Sequence, residues 1–247
     1  MFPGKIIAVV ALLLILISVQ AVLSNPSVDE GEFFSDGGIE EKVVWGKMVG
    51  EIPAPPQLVY EIYTDPDSWY RMGIPRLIES RLVHEKVLSQ VGKATEVDDF
   101  FKALGSQVFS IKPLRKRGGV WHHLHFQYFN IPWPVANRWM ILDTKDIETK
   151  SQDGIYRSEF SYAAGNLKSI EGYIQFAPYR GDRKKTRLEY YVRVDPASHV
   201  PKFLVRWGVR MAMPRTIKAI RREALRRLTG DLKRAAFLEG DQDSLNN

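Results

Sequence analysis

The chain has 247 residues, of which 45% are hydrophobic and 26% charged, so it can form one large globular domain with a sizeable core. It contains no cysteine, which excludes disulfides, thiolate catalysis and Cys-ligated zinc. The net charge of +6 is unevenly distributed, because residues 42–247 carry 34 basic and 23 acidic side chains, a balance that favours anionic partners.

Residues 1–24 have the pattern of an export signal. Lys5 precedes an apolar run from Ile6 to Ile17, and Val19-Gln20-Ala21 offers small residues at a cleavage position. The alternative is an uncleaved anchor, because the segment from Ile6 to Leu23 is near the lower length limit for crossing a bilayer. Both alternatives predict a domain outside the cytosol, whether periplasmic, secreted or lumenal.

An acidic, glycine-bearing segment follows and predicts a linker over residues 25–41. Residues 42–52 then predict a first strand, which is stopped by prolines. A helix is predicted from Pro55-Pro56 to Asp65-Pro66, because apolar residues recur there at helical spacing.

From residue 75 to 195 the sequence is mostly typical of antiparallel strands separated by short turns. The predicted strands are Arg76–Leu88, Lys93–Leu104, Val108–Leu114, Val120–Phe129, Arg138–Glu148, Ile155–Ala163, Ile170–Ala177 and Thr186–Val194.

The last element is a long amphipathic helix that begins near His199 or Pro201. Pro214 interrupts its apolar register and predicts a kink or a division into two helices. Residues 237–247 form a predicted polar tail.

Three segments carry a resemblance to a known superfamily. They are PPQLVYEIYTDPDSWYRM with PRLIESRLV, then IPWPVANRWMILD, and finally GYIQFAP with TRLEYYVRVDP and VPKFLV. Together these resemble the START-like (SRPBCC, helix-grip) superfamily, which includes StAR-related lipid-transfer and polyketide cyclase-like domains. The resemblance implies an α+β helix-grip domain over residues 42–236, in which a curved antiparallel sheet wraps a long C-terminal helix around a hydrophobic cavity. One departure is Trp139, which stands where the family usually has Asp.

The cavity implied by the resemblance would be lined by alternate residues of the strands, because one strand face points inward with a period of two. A mainly apolar lining is typical of ligand pockets, although aromatic residues at such positions also form packed cores. The candidate lining residues are Leu124, Phe126, Tyr128, Tyr156, Phe160, Tyr162, Ile174, Phe176, Leu188, Tyr190 and Val192, with Phe203, Trp207 and Met211 from the helix.

Arg138 is the polar candidate for the cavity. It begins a strand at the position where the family places an arginine. A buried arginine must meet a carboxylate or an anionic ligand group, whereas an exposed one would only be solvated.

The sequence gives little support for a metal site or for an acid–base catalytic pair. His123 and His125 share a strand face, as the beginning of a metal site would require, but no convincing third ligand lies nearby in the sequence, so no metal is predicted. Asp98 and Asp99 would point to opposite faces of a strand and cannot form an acid–base pair there. No cofactor and no catalytic residue are predicted.

The closing helix is strongly basic, with eleven Lys or Arg between residues 202 and 234 opposed only by Glu223 and Asp231. A basic amphipathic helix suits an anionic membrane surface, and we select Arg221, Arg222 and Arg226 as its contact residues. The absence of a nucleic-acid-binding motif argues against nucleic acid. The sequence does not indicate an oligomeric state.

Taken together, these features predict a domain that binds a hydrophobic small molecule of the lipid class, and they leave its transfer between membranes as an open alternative. Two alternatives remain open: a polyketide cyclase-like enzyme that uses the same cavity, and a non-catalytic interaction domain with a filled core. A cyclase requires an acid or base inside the cavity, whereas a carrier does not.

Overall fold

The computed structural model describes residues 34–41, 43–74, 76–91, 97–104, 119–131, 137–196 and 202–245. Within this part of the chain, one antiparallel sheet of eight strands has the order β1-β2-β8-β7-β6-β5-β4-β3. The strands are β1 (Phe34–Glu40), β2 (Val43–Ile52), β3 (Leu77–Val83), β4 (Val120–Phe129), β5 (Arg138–Lys150), β6 (Ile155–Gly165), β7 (Ser169–Tyr179) and β8 (Asp182–Asp195). The helices are α1 (Pro56–Thr64), α2 (Pro66–Arg71), α3 (Lys86–Val91), α4 (Val97–Leu104) and α5 (Lys202–Leu245), and a 3-10 turn spans Ser151–Asp153.

The two central hairpins follow from local turn chemistry. Arg180 and Gly181 both have positive φ, at 51° and 84°, in the turn between β7 and β8. Gly154, with a φ of 74°, ends the 3-10 turn between β5 and β6. Positive φ at these points reverses the chain tightly, so successive strands pair with their sequence neighbours.

An elbow of two short helices follows β2. Pro56 and Pro66 each occupy the first turn of a helix, where a missing N–H costs nothing. Asp65 between them is extended, and its carboxylate accepts hydrogen bonds from the Asp67 N–H (3.1 Å) and the Ser68 hydroxyl (2.6 Å). This N-cap begins α2, so the Asp65-Pro66 pair separates two helices as well as ending the first.

The sheet has two covered faces, which we call inner and outer. The inner face packs against α1 and α5, and this core includes Tyr60, Ile62, Phe176, Leu188 and Ile217. On the outer face, α3 and α4 cover the β3–β5 part of the sheet through a separate core. The outer core comprises Val83, Val87, Val91, Phe100, Phe126, Trp139 and Ile141.

Two strand predictions are wrong where this outer cover forms. The segment predicted as Lys93–Leu104 contains α4, and the segment predicted as Arg76–Leu88 ends its strand at Val83 before α3 begins. In α4 the adjacent Asp98 and Asp99 lie in the first helical turn, where negative charge is favourable, and Phe100 is fully buried. The predicted strand Val108–Leu114 lies outside the described residues.

The long helix α5 continues through Pro214, so the sequence is not divided there into two helices. The helix approaches β2 closely at Gly46: a Cβ at that position would lie 2.6 Å from Val209 Cγ1 and 2.8 Å from Met213 Sδ. The absence of a side chain at Gly46 therefore sets the distance between helix and sheet.

Both ends of the predicted domain differ from expectation. β1 lies within the segment predicted as a linker and pairs along its length with β2, with Gly37 opposite Gly46. At the other end, α5 runs to Leu245, into the predicted tail. The export segment lies outside the described residues, and none of the described helices combines the length and apolar composition needed to cross a bilayer.

The predicted fold class is confirmed. The strand, two-helix elbow, antiparallel meander and long C-terminal helix give an α+β helix-grip architecture.

Candidate functional site

The inner face of β6, β7 and β8 is lined by the apolar side chains selected from the sequence. The register places Tyr156 opposite Phe176, Ile174 opposite Tyr190, and Phe176 opposite Leu188, so they share one face. The group on this face is Tyr156, Phe160, Tyr162, Ile174, Phe176, Leu188, Tyr190 and Val192. Most of them join the core beneath α1 and α5, and the Tyr60 ring stacks on Tyr156 at a centroid distance of 4.9 Å.

Three of the predicted lining residues belong to α5. Phe203, Trp207 and Met211 lie within α5, but their side chains fall outside the described residues. Met213 and Ile217 of the same helix are buried in the inner core.

Leu124, Phe126 and Tyr128 are placed differently from the prediction. Phe126 pairs with Ile141 and Tyr128 pairs with Trp139, and all four residues belong to the outer core. Phe126 stacks on Phe100 of α4 at a centroid distance of 4.5 Å. The sequence correctly predicts that Leu124, Phe126 and Tyr128 share one face of β4. This face packs against α4 and not against α5, because helices cover both faces of this part of the sheet.

Arg138 is half-buried at the start of β5, opposite Phe129. Its guanidinium donates a hydrogen bond of 3.3 Å to the backbone carbonyl of Asn137. The residues around the two cavities described below do not include Arg138.

The inner face of β4 and β5 carries polar side chains in place of the expected apolar ones. His123 lies opposite Thr144, and Asp146 lies opposite Ser158 on β6. These residues surround a cavity of about 20 Å³. Its lining comprises Tyr63, Thr64, His123, His125, Gln127, Leu142, Thr144, Asp146, Ser158 and Phe160.

This cluster is deeply buried. Asp146 is 1% exposed, and its carboxylate lies 3.7 Å from His123 Nδ1. His125 Nε2 lies 2.7 Å from the Ser80 hydroxyl, and the Trp69 ring meets the His125 ring edge to face. The cavity therefore combines a carboxylate, two imidazoles and several hydroxyls within an apolar surround.

Burial fixes the charge of several neighbours. It lowers the pKa of His125 to about 3, with a further contribution from His123, so His125 is neutral at physiological pH. Burial also raises the pKa of Tyr190 to about 12. The pKa of Tyr63 is raised well above its usual range by burial first, and then by Tyr190 and Asp146.

Two hydroxyls at the cavity have no hydrogen-bond partner among the described residues. They belong to Thr144 and Ser158, which are 6% and 0% exposed. Most buried polar groups are paired, so unpaired ones in a cavity point to a missing partner, either a water molecule or a ligand group. Ser158 lies two residues from both Tyr156 and Phe160 and so shares their strand face, and the polar residues at the alternate positions 144 and 146 were the sequence signal for the rest.

A second cavity, of about 100 Å³, lies between α5 and the β1–β2 hairpin. Gly37 and Gly46 face each other there, and Lys47, Arg206 and Arg210 are among the lining residues. Arg206 donates a hydrogen bond of 3.4 Å to the Gly37 carbonyl. On the outer face, the Lys47 ammonium group forms an ion pair of 2.9 Å with the Glu189 carboxylate.

The arginines selected for membrane contact are partly used within the protein. Arg226 forms a bidentate pair with Glu223 at 2.7 Å, and Arg222 donates to the Met72 carbonyl at 3.1 Å. The side chains of Arg222 and Arg226 nevertheless remain exposed. Among the described residues, no group of three His, Cys, Asp or Glu side chains is arranged to hold a metal ion.

Solved structures with similar folds include a STAR-related lipid transfer protein from Xanthomonas axonopodis, human STARD10 and human StAR-related lipid transfer protein 5. The first is 15% identical, with 79% of this chain and 99% of that chain covered and a TM-score of 0.49. STARD10 is 12% identical over 88% of this chain and 82% of its own, and the third is 8% identical over 90% and 99%, both with TM-scores of 0.49. No protein-family model and no curated protein sequence matches the chain.

Proposed function

We propose that this chain binds a hydrophobic small molecule of the lipid class between the inner face of the sheet and α5, and carries it between membranes. The observation that carries the proposal is the division of the interior into two chemistries. An apolar wall that includes Ile174, Phe176 and Leu188 adjoins a polar end that holds the unpaired hydroxyls of Thr144 and Ser158. An amphiphile presents the same division between its tail and its head.

Binding requires the interior to open. Pockets for molecules of drug size have volumes of roughly 300–1,000 Å³, whereas the two cavities described measure about 100 and 20 Å³. Met48, Met140 and Met213 belong to the inner core, and methionine side chains repack easily because they are unbranched. The described state therefore corresponds to a closed conformation of the carrier under this proposal.

The test is uptake of the neutral apolar probe N-phenyl-1-naphthylamine, measured by fluorescence, combined with mass spectrometry of an organic-solvent extract of the purified protein. Tyr190→Trp and Phe160→Trp should block uptake, because both side chains face the interior. Tyr191→Trp is the matched control, since Tyr191 lies on the outer face and contacts Trp45 and Tyr173. If the wild-type chain takes up no probe, and the two inward substitutions cost several kcal/mol of stability, the interior is a packed core and the chain an interaction domain.

We also propose that α5 contacts an anionic membrane surface. Each Lys or Arg near such a surface contributes about 1 kcal/mol. Replacing Arg221, Arg222 and Arg226 together by Glu should weaken binding to vesicles that contain phosphatidylserine, and salt should weaken the wild type in the same way. The control replaces Arg183, Lys184 and Lys185 of the exposed β7–β8 hairpin by Glu. If only the control loses binding, the hairpin is the contact.

Export is the proposed destination, with the N-terminal segment as signal or anchor. A fusion of residues 1–45 to a reporter that is active only outside the cytosol should give activity. A reporter retained in the cytosol would contradict the proposal.

A cyclase-like enzyme is favoured by one observation, the buried pair of Asp146 and His123. A general acid or base works best with a pKa near the operating pH, so His125 is unsuited to that role. An aldol-type ring closure with dehydration would release one water. Ligand extracted from the Asp146→Asn protein should then be heavier by one water than ligand from the wild type, whereas a carrier yields the same molecule from both.

A further inference from the structure

We infer that the bound molecule is an uncharged amphiphile whose head is a hydroxyl group, and that Ser158 and Thr144 hold this hydroxyl. The inference rests on the proposed function, because it specifies the ligand of the same interior.

The two side chains converge on one cavity from neighbouring strands. Ser158 on β6 lies opposite Asp146 on β5, and Thr144 lies two residues before Asp146 on the same face. Neither hydroxyl has a partner among the described residues, and both are buried. A hydroxyl donates one hydrogen bond and accepts two, so a ligand hydroxyl can donate to one side chain and accept from the other.

The size of the cavity selects a small head. Its volume of about 20 Å³ accommodates a group the size of one water molecule, for which roughly 10–15 Å³ suffices. A hydroxyl oxygen has this size. A carboxylate or phosphate has several oxygens and would need the surrounding strands to separate.

Charge selects against acids. The lining contains the Asp146 carboxylate and, among the described residues, neither lysine nor arginine. His123 is already 3.7 Å from Asp146, and burial keeps His125 neutral. A ligand carboxyl and the Asp146 carboxyl could therefore be ionised together only at a high energetic cost, because the medium has a low dielectric constant.

The apolar part of the ligand has a defined direction. Phe160 and Leu142 complete the lining of the same cavity, and the Phe160 ring lies 6.3 Å from the Tyr190 ring. From there the apolar wall continues along β7 and β8 beneath α5. A molecule with its hydroxyl at Ser158 would lay its chain along this wall.

The test uses the full-length chain loaded with N-phenyl-1-naphthylamine and titrated at neutral pH with two competitors of equal chain length, decan-1-ol and decanoate. Decan-1-ol should displace the probe at a concentration at least about tenfold lower than decanoate. Ser158→Ala and Thr144→Val should each weaken decan-1-ol binding by roughly 3- to 10-fold, the value of one hydrogen bond, once the displacement is corrected for the probe affinity measured with each variant. Ser161→Ala, on the same strand but exposed, is the control and should have no effect. Asp146→Asn should bring the probe-displacing concentrations of decan-1-ol and decanoate closer together.

The outcomes separate the two hypotheses. If neither the probe nor decan-1-ol binds, both the proposed function and the inference about the hydroxyl head are refuted. If the probe binds but decanoate competes as well as decan-1-ol, only the hydroxyl head is refuted. If decan-1-ol is preferred and both Ser158→Ala and Thr144→Val bind it as the wild type does, these hydroxyls hold only a structural water, and their assignment is refuted.

Discussion

The close contact between α5 and Gly46 yields a quantitative prediction. Replacing Gly46 by Ala would place a methyl group 2.6 Å from Val209 Cγ1 and 2.8 Å from Met213 Sδ. Carbon atoms in favourable contact are about 3.5–4.0 Å apart, so the helix or these two side chains must move by about 1 Å. Overpacking of this kind costs about 1–3 kcal/mol.

The assay is urea unfolding of the full-length chain, with the transition midpoint and slope compared between variants. Gly46→Ala should lower the midpoint without changing the slope. Val209→Ala removes one of the two clashing atoms, so the double variant should be at least about 1 kcal/mol more stable than the sum of the single effects implies. Gly208→Ala in α5 is a control of opposite sign: its Cβ would meet no atom within 4 Å, and helix propensity favours Ala by about 1 kcal/mol.

Two results would refute this reasoning. One is a Gly46→Ala protein as stable as the wild type. The other is a double variant whose loss equals the sum of the single losses, since this would mean that Val209 and the new methyl group do not meet.

Three further predictions concern stability. Hydrogen bonds from Arg226 lower the pKa of Glu223 to about 2. The ionised Glu223 side chain therefore stabilises the fold fully above about pH 4.5, and this stabilisation disappears as the pH falls towards 2. The difference in the free energy of unfolding between wild type and Glu223→Gln should vanish over that range. Burial holds the pKa of His125 at about 3, so the unfolded chain binds a proton that the folded chain does not, and stability should fall as the pH drops below about 6.5; His125→Gln should flatten this part of the curve, and an unchanged slope would contradict the assignment. Trp139→Ala should cost about 3–5 kcal/mol, because the side chain is fully buried in the outer core; urea unfolding measures this, and a loss below 1 kcal/mol would contradict the packing described.

The strands between residues 155 and 195 were predictable because their outer face is polar and their inner face apolar. Glu189 and Arg193 alternate there with Leu188 and Val192, so a period of two identifies both the strand and the inner face. The approximate bounds of β6, β7 and β8 follow from this alternation together with the glycine turns.

The region from β3 to β5 was less predictable because its sheet is covered on both faces. Where both faces are buried, alternation shows which residues share a face but not which face packs against α5. Phe126 was therefore assigned to the inner core, although it belongs to the outer core. The aromatic pair Phe100-Phe101 favours a strand by propensity but occupies a helix, because one helical face packs on that sheet. β1 was missed for a different reason: its Ser-Asp-Gly-Gly sequence has no apolar pattern and is held by backbone pairing.

The polar end of the candidate site depends on register, which sequence spacing does not reveal. His123 and Asp146 are 23 positions apart and meet only because β4 and β5 pair with Trp121 opposite Asp146. Ser158 joins them through the next pairing. Alternation alone places each residue on a face but not beside a particular neighbour.

The polar contacts of α5 are unequal along its length. Near its middle, Arg227 bonds to the Ser68 hydroxyl, lies 3.7 Å from Asp65 and pairs with Glu223, while Arg222 bonds to the Met72 carbonyl. Nearer its beginning, Arg206 donates a long hydrogen bond of 3.4 Å to the Gly37 carbonyl. If the helix swings away from the sheet, the pivot lies at the elbow between α1 and α2, and the gap opens first beside Gly46. The helix would then rotate about a hinge at Asp65, and the interior would open at the edge of the sheet formed by β1 and β2.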